Sequence, residues 1–326
     1  MQVDLAKLRV LIAGCGSIGK RHAQVLAQIG ITHLAACDPS EEARASFAAL
    51  VPDCKMYTEY QKALIDFQPD AVFILTPTRL HLSMATQAVL AGCHVFIEKP
   101  LSNTTEDALA LYDLAQKHHK QVMVGFCFRY HAALLEAKKR IESGEIGRIV
   151  SIRALMGEPF YEIHPDYLNL YYSKYSGAFE LVHDLDLAIW FAGQEIESVQ
   201  AVYGSFSDMG MESPDTVEML VKFQDRCVAN VHLDFFQMPR RRQIDLIGTN
   251  GVITVEFASW DEATLRCYTK QSRAWEQQAF KTQRNDMFIA EDLEFFACMQ
   301  SGHPVRCSIP EALKSLSAIA QIYKPY

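Results

Sequence analysis

Three clusters in the 326-residue sequence carry residue types and spacings able to do chemistry. The first is Gly14-Cys15-Gly16-Ser17-Ile18-Gly19. A G-x-G-x-x-G spacing is weak by itself, but this one follows an apolar run, Leu8–Gly14, and opens a helical pattern. In that setting Gly14 permits a tight turn, Gly16 lets the main chain approach a pyrophosphate, and Gly19 allows close helix–strand packing. Ser17 and Ile18 fall at the helix N-terminus, where N–H groups and a positive dipole suit phosphates. A plain glycine turn is the alternative. Asp38 stands 24 residues after Gly14, at the end of the next apolar run. An acid there hydrogen-bonds the ribose 2′-hydroxyl of NAD and repels the 2′-phosphate of NADP, so NAD is expected over NADP. The alternative is that the same residue merely caps the helix that begins near Ser40, and the two roles are compatible.

The second cluster is Ile97-Glu98-Lys99-Pro100. A charged pair at the C-terminal end of a strand sits where open α/β sheets place ligands. Proline would fix the chain direction, through a cis bond or otherwise, and hold the Lys99 ammonium toward a crevice. By position alone, an exposed strand-end lysine explains the same residues. The third cluster is Glu180, His183, Asp184 and Asp186 in an otherwise apolar stretch. On a continuous helix over Ala178–Ala192, Glu180, His183 and Asp184 share one face. A polar cluster on such a helix needs a purpose, because burying it unsatisfied is costly. Acid–base catalysis, a metal site and a structural hydrogen-bond network all fit that spacing. Arg240-Arg241-Arg242 reads as a solvated edge, with contact to an anionic substrate the alternative.

The elements that must position these clusters follow two patterns. The first third alternates apolar runs (Leu8–Gly14, Thr32–Asp38, Ala71–Leu75, His94–Glu98, Gln121–Gly125) with helical patterns (Ile18–Ile29, Glu41–Leu50, Arg79–Ala91, Thr105–His118). Continuous apolar strands separated by helices predict a parallel, doubly wound sheet covered on both faces. After Gly125 come a helix (His131–Ser143), a strand (Ile149–Leu155) and a loop rich in Tyr, Pro and His (Gly157–Ser176). Further strands are predicted at Val199–Phe206, Val217–Phe223, Cys227–Phe236, Gln243–Ile247, Val252–Phe257 and Thr264–Tyr268. Thr249-Asn250-Gly251 marks a hairpin turn. Two helices, Asp286–Gln300 and Pro310–Ile322, close the chain. This predicts an α/β protein: residues 1–124 as a dinucleotide-binding domain, and 125–326 as an α+β domain built on a mostly antiparallel sheet.

Composition narrows the class. Apolar residues at 49% and charged residues at 21% are ordinary for a folded protein with real cores. A net charge of −8 discourages a broad nucleic-acid surface but says nothing against a local anion site. No apolar run approaches the roughly 18 residues of a membrane span. Nine cysteines, an odd number without a C-x-x-C, read as reduced buried thiols of a cytoplasmic protein, not as bridges or a zinc site.

Taken together and in this order, six segments resemble the Gfo/Idh/MocA family of NAD(P)-dependent oxidoreductases. They are Gly14 to His22, Leu75-Thr76-Pro77-Thr78 with His81, Gly92 to Pro100, Gly144 to Arg148, His183 to Asp186, and Ile247 to Gly251. The resemblance implies a Rossmann domain followed by an α/β domain whose open sheet forms a homodimer or homotetramer contact. It implies Lys99 and His183 as the catalytic pair, with Thr76, Pro77, His81, Glu98 and Lys99 joining the glycine loop and Asp38 around the cofactor. Lys99, His183 and Asp186 are expected at the substrate; the aromatic loop (Phe160, Tyr161, Tyr167, Tyr171, Tyr172) suits stacking on a sugar ring, with Tyr167 expected there, and suits core packing equally well. Where many members carry an Asp four residues before the histidine, this sequence has Phe179. Glu180, three before, is expected to take that part. The activity implied is hydride transfer between nicotinamide and a secondary alcohol of a sugar, an inositol or a sugar derivative. The same fold also hosts NAD-retaining glycosidases and non-catalytic regulators.

Overall fold

The computed structural model describes residues 4–170 and 172–323. The chain divides into two compact units: the residues up to Cys127 with Asn285–Leu316, and Phe128–Arg284 with the residues from Ser317 onward.

In the first unit six parallel strands form one sheet among the described residues. They are β1 (Arg9–Ala13), β2 (His33–Cys37), β3 (Lys55–Tyr57), β4 (Ala71–Ile74), β5 (His94–Glu98) and β6 (Val122–Gly125), in the order β3-β2-β1-β4-β5-β6. Helices α1 (Ser17–Gln28), α2 (Glu41–Leu50), α3 (Tyr60–Phe67), α4 (His81–Leu90) and α5 (Ala108–Lys117) alternate with them. This is the doubly wound parallel sheet that the apolar runs predict. Every residue of β4 and β6 is buried, as helices on both faces require. Two elements escaped the sequence pattern. β3 is three residues long and half open to solvent, and α3 is a short helix with only Ala63 and Leu64 buried.

The second unit contains α6 (Ala132–Glu142), β7 (Ile149–Gly157), the single turn α7 (Phe160–Ile163) and α8 (His183–Ala192). Its sheet continues with β8 (Ile196–Gly204), β9 (Thr216–Phe223), β10 (Val228–Asp234), β11 (Arg241–Gly248), β12 (Gly251–Phe257), β13 (Glu262–Thr269) and β14 (Trp275–Lys281). The order is β14-β13-β12-β11-β7-β10-β9-β8, antiparallel except where β10 pairs with β7. Thr249 and Asn250 form the β11–β12 hairpin turn. Strand alternation sends Met219, Val231, Ala154, Ile244, Val255 and Leu265 to one face, where they are buried, and α6 and α8 pack against it. The opposite face carries Val202, Leu220 and Val228, all exposed. β14 was not predicted because this edge strand is open to solvent on both sides and has no apolar alternation.

Near its far end the chain returns to the first unit. α9 (Asp286–Ser301) follows the second unit's last strand in sequence yet packs in the first unit. Its Phe295 and Phe296 close on Phe73 of β4, and Phe295 also packs edge-on to Phe96 of β5. His22 of α1 lies under Phe288 and bonds Asp292. After α9, Val124 of β6 donates to the Cys307 carbonyl, and α10 (Ile309–Ile322) ends the described helices. All nine cysteines are buried and unbridged. Among the described residues, no helix is long and apolar enough to cross a membrane.

Candidate active site

At the end of β1 the chain turns through Gly14 at φ +106°, where a Cβ would lie 2.4 Å from the Leu75 carbonyl oxygen. Only glycine fits that approach. Gly19 is as constrained, since its Cβ would meet the Gly14 carbonyl at 2.0 Å. Gly16, the N-cap of α1, has extended backbone, and a Cβ there would meet nothing within 4 Å. Two glycines thus close the turn, while the third leaves open space before the first N–H groups of a helix. That is the geometry a dinucleotide pyrophosphate requires. Asp38 braces the same turn: Oδ2 accepts from the Cys15 amide at 2.9 Å and Oδ1 from the Ser40 amide at 2.8 Å. The cap of α2 is Ser40, whose hydroxyl accepts from the Ala43 amide, so Asp38 is not spent on capping. Arg44 donates to the Asp38 and Pro39 carbonyls. Burial pushes the Cys15 thiol up to about 12, so it stays protonated in the loop.

Glu98 ends β5, and the Lys99–Pro100 bond is cis. The Glu98 carboxylate lies against Gly125, where a Cβ would come within 2.7 Å of Oε2. Burial pushes this carboxyl up, while the Lys99 ammonium and the His22 ring pull it back. His22 is fully enclosed. Burial alone would lower its pKa, but the Asp292 carboxylate 3.2 Å away outweighs that and raises it. Pro77 opens the turn after β4, and the Thr76 hydroxyl points to the Met84 sulfur. His81, expected among the cofactor ligands, is buried with both ring nitrogens on main-chain carbonyls.

In the second unit the single helix expected over Ala178–Ala192 is broken. Gly177–Glu180 forms a 3-10 turn, Leu181 leaves helical geometry, and α8 starts at His183. The cause is local. Gly177, at φ +56°, sits so close to Pro214 that a Cβ would be 2.0 Å from its carbonyl, and the Ala178 amide donates to that same oxygen. Glu180 therefore does not share a helix face with His183 and Asp184, and its Oε1 accepts from the Ser176 hydroxyl.

The two aspartates of α8 engage different arginines. Asp186 takes both oxygens to Arg129, at 2.8 Å from Nε and 2.6 Å from Nη2, and both partners are about 1% exposed. Asp184 bonds Arg242 Nη2 at 2.8 Å, and burial pushes its carboxyl up against the pull of that guanidinium. Arg242 lies 4.0 Å over the Phe128 ring, and Phe128 packs against His183 with centroids 5.0 Å apart. The histidine thus begins α8, 9% exposed, with an aromatic ring on one side and two buried ion pairs fixing the following turn. Asp184 and Asp186 both take part in buried hydrogen-bonded ion pairs, and among the described residues no three His, Cys, Asp or Glu side chains gather as a metal site.

Sequence reasoning missed Arg129 and misplaced Arg242. A lone arginine inside Phe126-Cys127-Phe128-Arg129-Tyr130 was a usable sign of a buried partner. The arginine run is not a solvated edge throughout: strand alternation turns Arg242 inward and Arg241 out to Gln243, while Arg240 bonds Glu158 and lies over Trp260. In the aromatic loop the Tyr167 hydroxyl donates to the Met209 carbonyl at 2.7 Å, Phe160 stacks in the core on Phe235, and Tyr161 reaches the Met238 sulfur. Tyr171, from the same loop, lies outside the described residues.

Family comparison agrees with this geometry. The model for an oxidoreductase family with an NAD-binding Rossmann fold matches residues 8–126, and the C-terminal domain model of the same family matches 134–254. The chain belongs to the Gfo/Idh/MocA oxidoreductase family. An inositol 2-dehydrogenase of Corynebacterium glutamicum is 30% identical over 65% of this chain, and the matched region spans 63% of that relative's length. One from Acidothermus cellulolyticus is 27% identical over 95% of this chain and 89% of its own. Among solved structures, UDP-N-acetylglucosamine 3-dehydrogenase of Acidithiobacillus ferrooxidans superposes with a TM-score of 0.82. It is 26% identical, covering 97% of this chain and 96% of that one.

Proposed function

We propose that this protein is an NAD-dependent dehydrogenase acting on a secondary alcohol of a sugar, an inositol or a sugar derivative. The observation that carries the reading is the glycine cradle, with Gly16 open to a ligand and Asp38 at the neighbouring strand end. The names of the inositol and sugar-nucleotide dehydrogenases it is similar to support the substrate class. NAD is preferred because the Asp38 carboxylate stands where a 2′-phosphate would be repelled.

NAD bound at Gly14–Gly19 and Asp38 would supply the hydride acceptor. The chain's own residues do the rest. An unprotonated His183 ring accepts the proton leaving the substrate hydroxyl, and the Lys99 ammonium stabilises the oxygen as negative charge develops on it. In the reverse direction Lys99 polarises the ketone and His183 returns the proton. Glu98, with Thr76 and Pro77, is assigned to the cofactor side. Glu180, Tyr167 and Asp186 are assigned to the substrate side, where Asp186 acts through Arg129 and the start of α8.

The buried, unbridged cysteines fit a reducing compartment, so we place the protein in the cytoplasm. The helix-free face of the second unit's sheet, with Val202, Leu220 and Val228 exposed, is assigned to a homodimer or homotetramer contact. The test of function is nicotinamide absorbance with NAD and with NADP against inositols, free sugars, acidic sugars and sugar nucleotides. Reduction of NAD by one of these classes is expected. Sugar release without net NADH would instead identify an NAD-retaining glycosidase, and no turnover with tight NAD binding would identify a regulator.

A further inference from the structure

His81 is 1% exposed, and each of its ring nitrogens faces a main-chain carbonyl. Nδ1 lies 2.9 Å from the Pro100 oxygen, and Nε2 lies 2.8 Å from the Thr76 oxygen. A carbonyl oxygen only accepts. A neutral imidazole has one N–H, so it would satisfy one carbonyl and set a lone pair against the other at hydrogen-bond distance. Leaving one contact repulsive in a buried place is costly, whereas the imidazolium donates to both.

The two carbonyls belong to neighbouring strand ends. Thr76 follows β4 and Pro100 follows β5, strands paired in parallel with Ile74 opposite Ile97. Pro100 is also bonded in sequence to Lys99. We propose that His81 is a doubly donating imidazolium that ties these two turns together and thereby acts as a positioning residue for Lys99. This deepens the reading above and rests on it for the role of Lys99.

Opposing influences are present. Burial and the N-terminal position of His81 on α4 both disfavour the charged ring. The charged residues on the flanking segments are Arg79 on the turn before α4, Glu98 and Lys99 at the end of β5, Glu106 and Asp107 between Pro100 and α5, and Asp113 and Lys117 on α5, which packs against α4. Two charge-assisted hydrogen bonds to carbonyl dipoles are what hold the proton.

The test uses the full chain with nitrogen-15-labelled histidine. Near neutral pH both His81 ring nitrogens are expected to show protonated-type shifts, and to keep them above the roughly 6.5 at which an ordinary histidine titrates. One bare nitrogen near neutral pH would overturn the proposal. This readout needs neither substrate nor a variant, so it stands if His81→Gln does not fold. In a folded His81→Gln the Lys99 side-chain resonances should shift, turnover should fall about a hundredfold, as a misplaced catalytic group does, and NAD affinity should change little. Unmoved Lys99 resonances would overturn the positioning role. Failure of the dehydrogenase reading would appear separately, as no nicotinamide reduction by the parent, and would leave both resonance criteria intact.

Discussion

Asp184 and Asp186 stand two residues apart at the start of α8, yet they answer to different arginines on different elements. Each pair is buried, and breaking a buried ion pair by removing one partner is strongly destabilising. Asp186→Ala should cost about 3–5 kcal/mol by denaturant unfolding, and the double variant with Arg129→Met should recover part of it. A loss under about 1 kcal/mol would mean Arg129 finds water or another partner. Another residue-scale prediction concerns His232 of β10, held between Glu218 at 2.6 Å and Asp234 at 2.8 Å. The Asp234 bond, with help from Glu218 and against partial burial, raises this ring from 6.5 to about 9. A raised histidine stabilises the fold in its protonated form, fully below pH about 6.5, and the effect is lost as pH rises through about 9. His232→Gln should therefore be less stable than the parent at pH about 6, with the gap closing above pH about 9. A gap independent of pH would contradict the assignment. At this scale the sequence is most legible where backbone geometry dictates the residue, as in the tight turn at Gly14 and the close packing at Gly19. It was read poorly where a side chain's partner lies far along the chain. Nothing near Asp186 in sequence points to Arg129, 57 residues earlier.

At the scale of an element, the three glycines of the loop differ in what an added Cβ would meet. Gly16→Ala meets nothing within 4 Å of the added carbon, so thermal stability should be kept while NAD affinity falls at least about tenfold. Gly19→Ala drives a Cβ into the Gly14 carbonyl and should destabilise the loop even without cofactor. Equal NAD affinity in Gly16→Ala and the parent, measured by titration calorimetry, would remove this loop from the pyrophosphate site. Strand β5 and helix α2 match their sequence patterns end to end, because apolar runs and an N-cap serine are local signals. The break between Glu180 and His183 was not local. It depends on Gly177 pressed against Pro214, a residue from a later part of the chain, and helical spacing alone gave no warning.

At the scale of the molecule, the sequence pattern changes from parallel to antiparallel near Gly125, and the first compact unit runs to Cys127 before the chain passes into the second. The return of Asn285–Leu316 to the first unit did not show, because α9 looks like any apolar helix. What sends it back is the aromatic surface of Phe73 and Phe96, which Phe295 and Phe296 cover. On the second unit, Leu220→Glu on the helix-free sheet face should lower the mass seen by analytical ultracentrifugation while leaving the secondary structure unchanged. A parent that sediments as a monomer would contradict that assignment. The most direct measurement joins the two clusters first seen in the sequence: steady-state turnover and NAD affinity in Lys99→Ala beside the parent, with the substrate class that reduces NAD. Loss of the fixed ammonium should lower turnover by about two to four orders of magnitude and leave the NAD dissociation constant nearly unchanged. Equal turnover in the two proteins would take Lys99 out of the mechanism and contradict the reading.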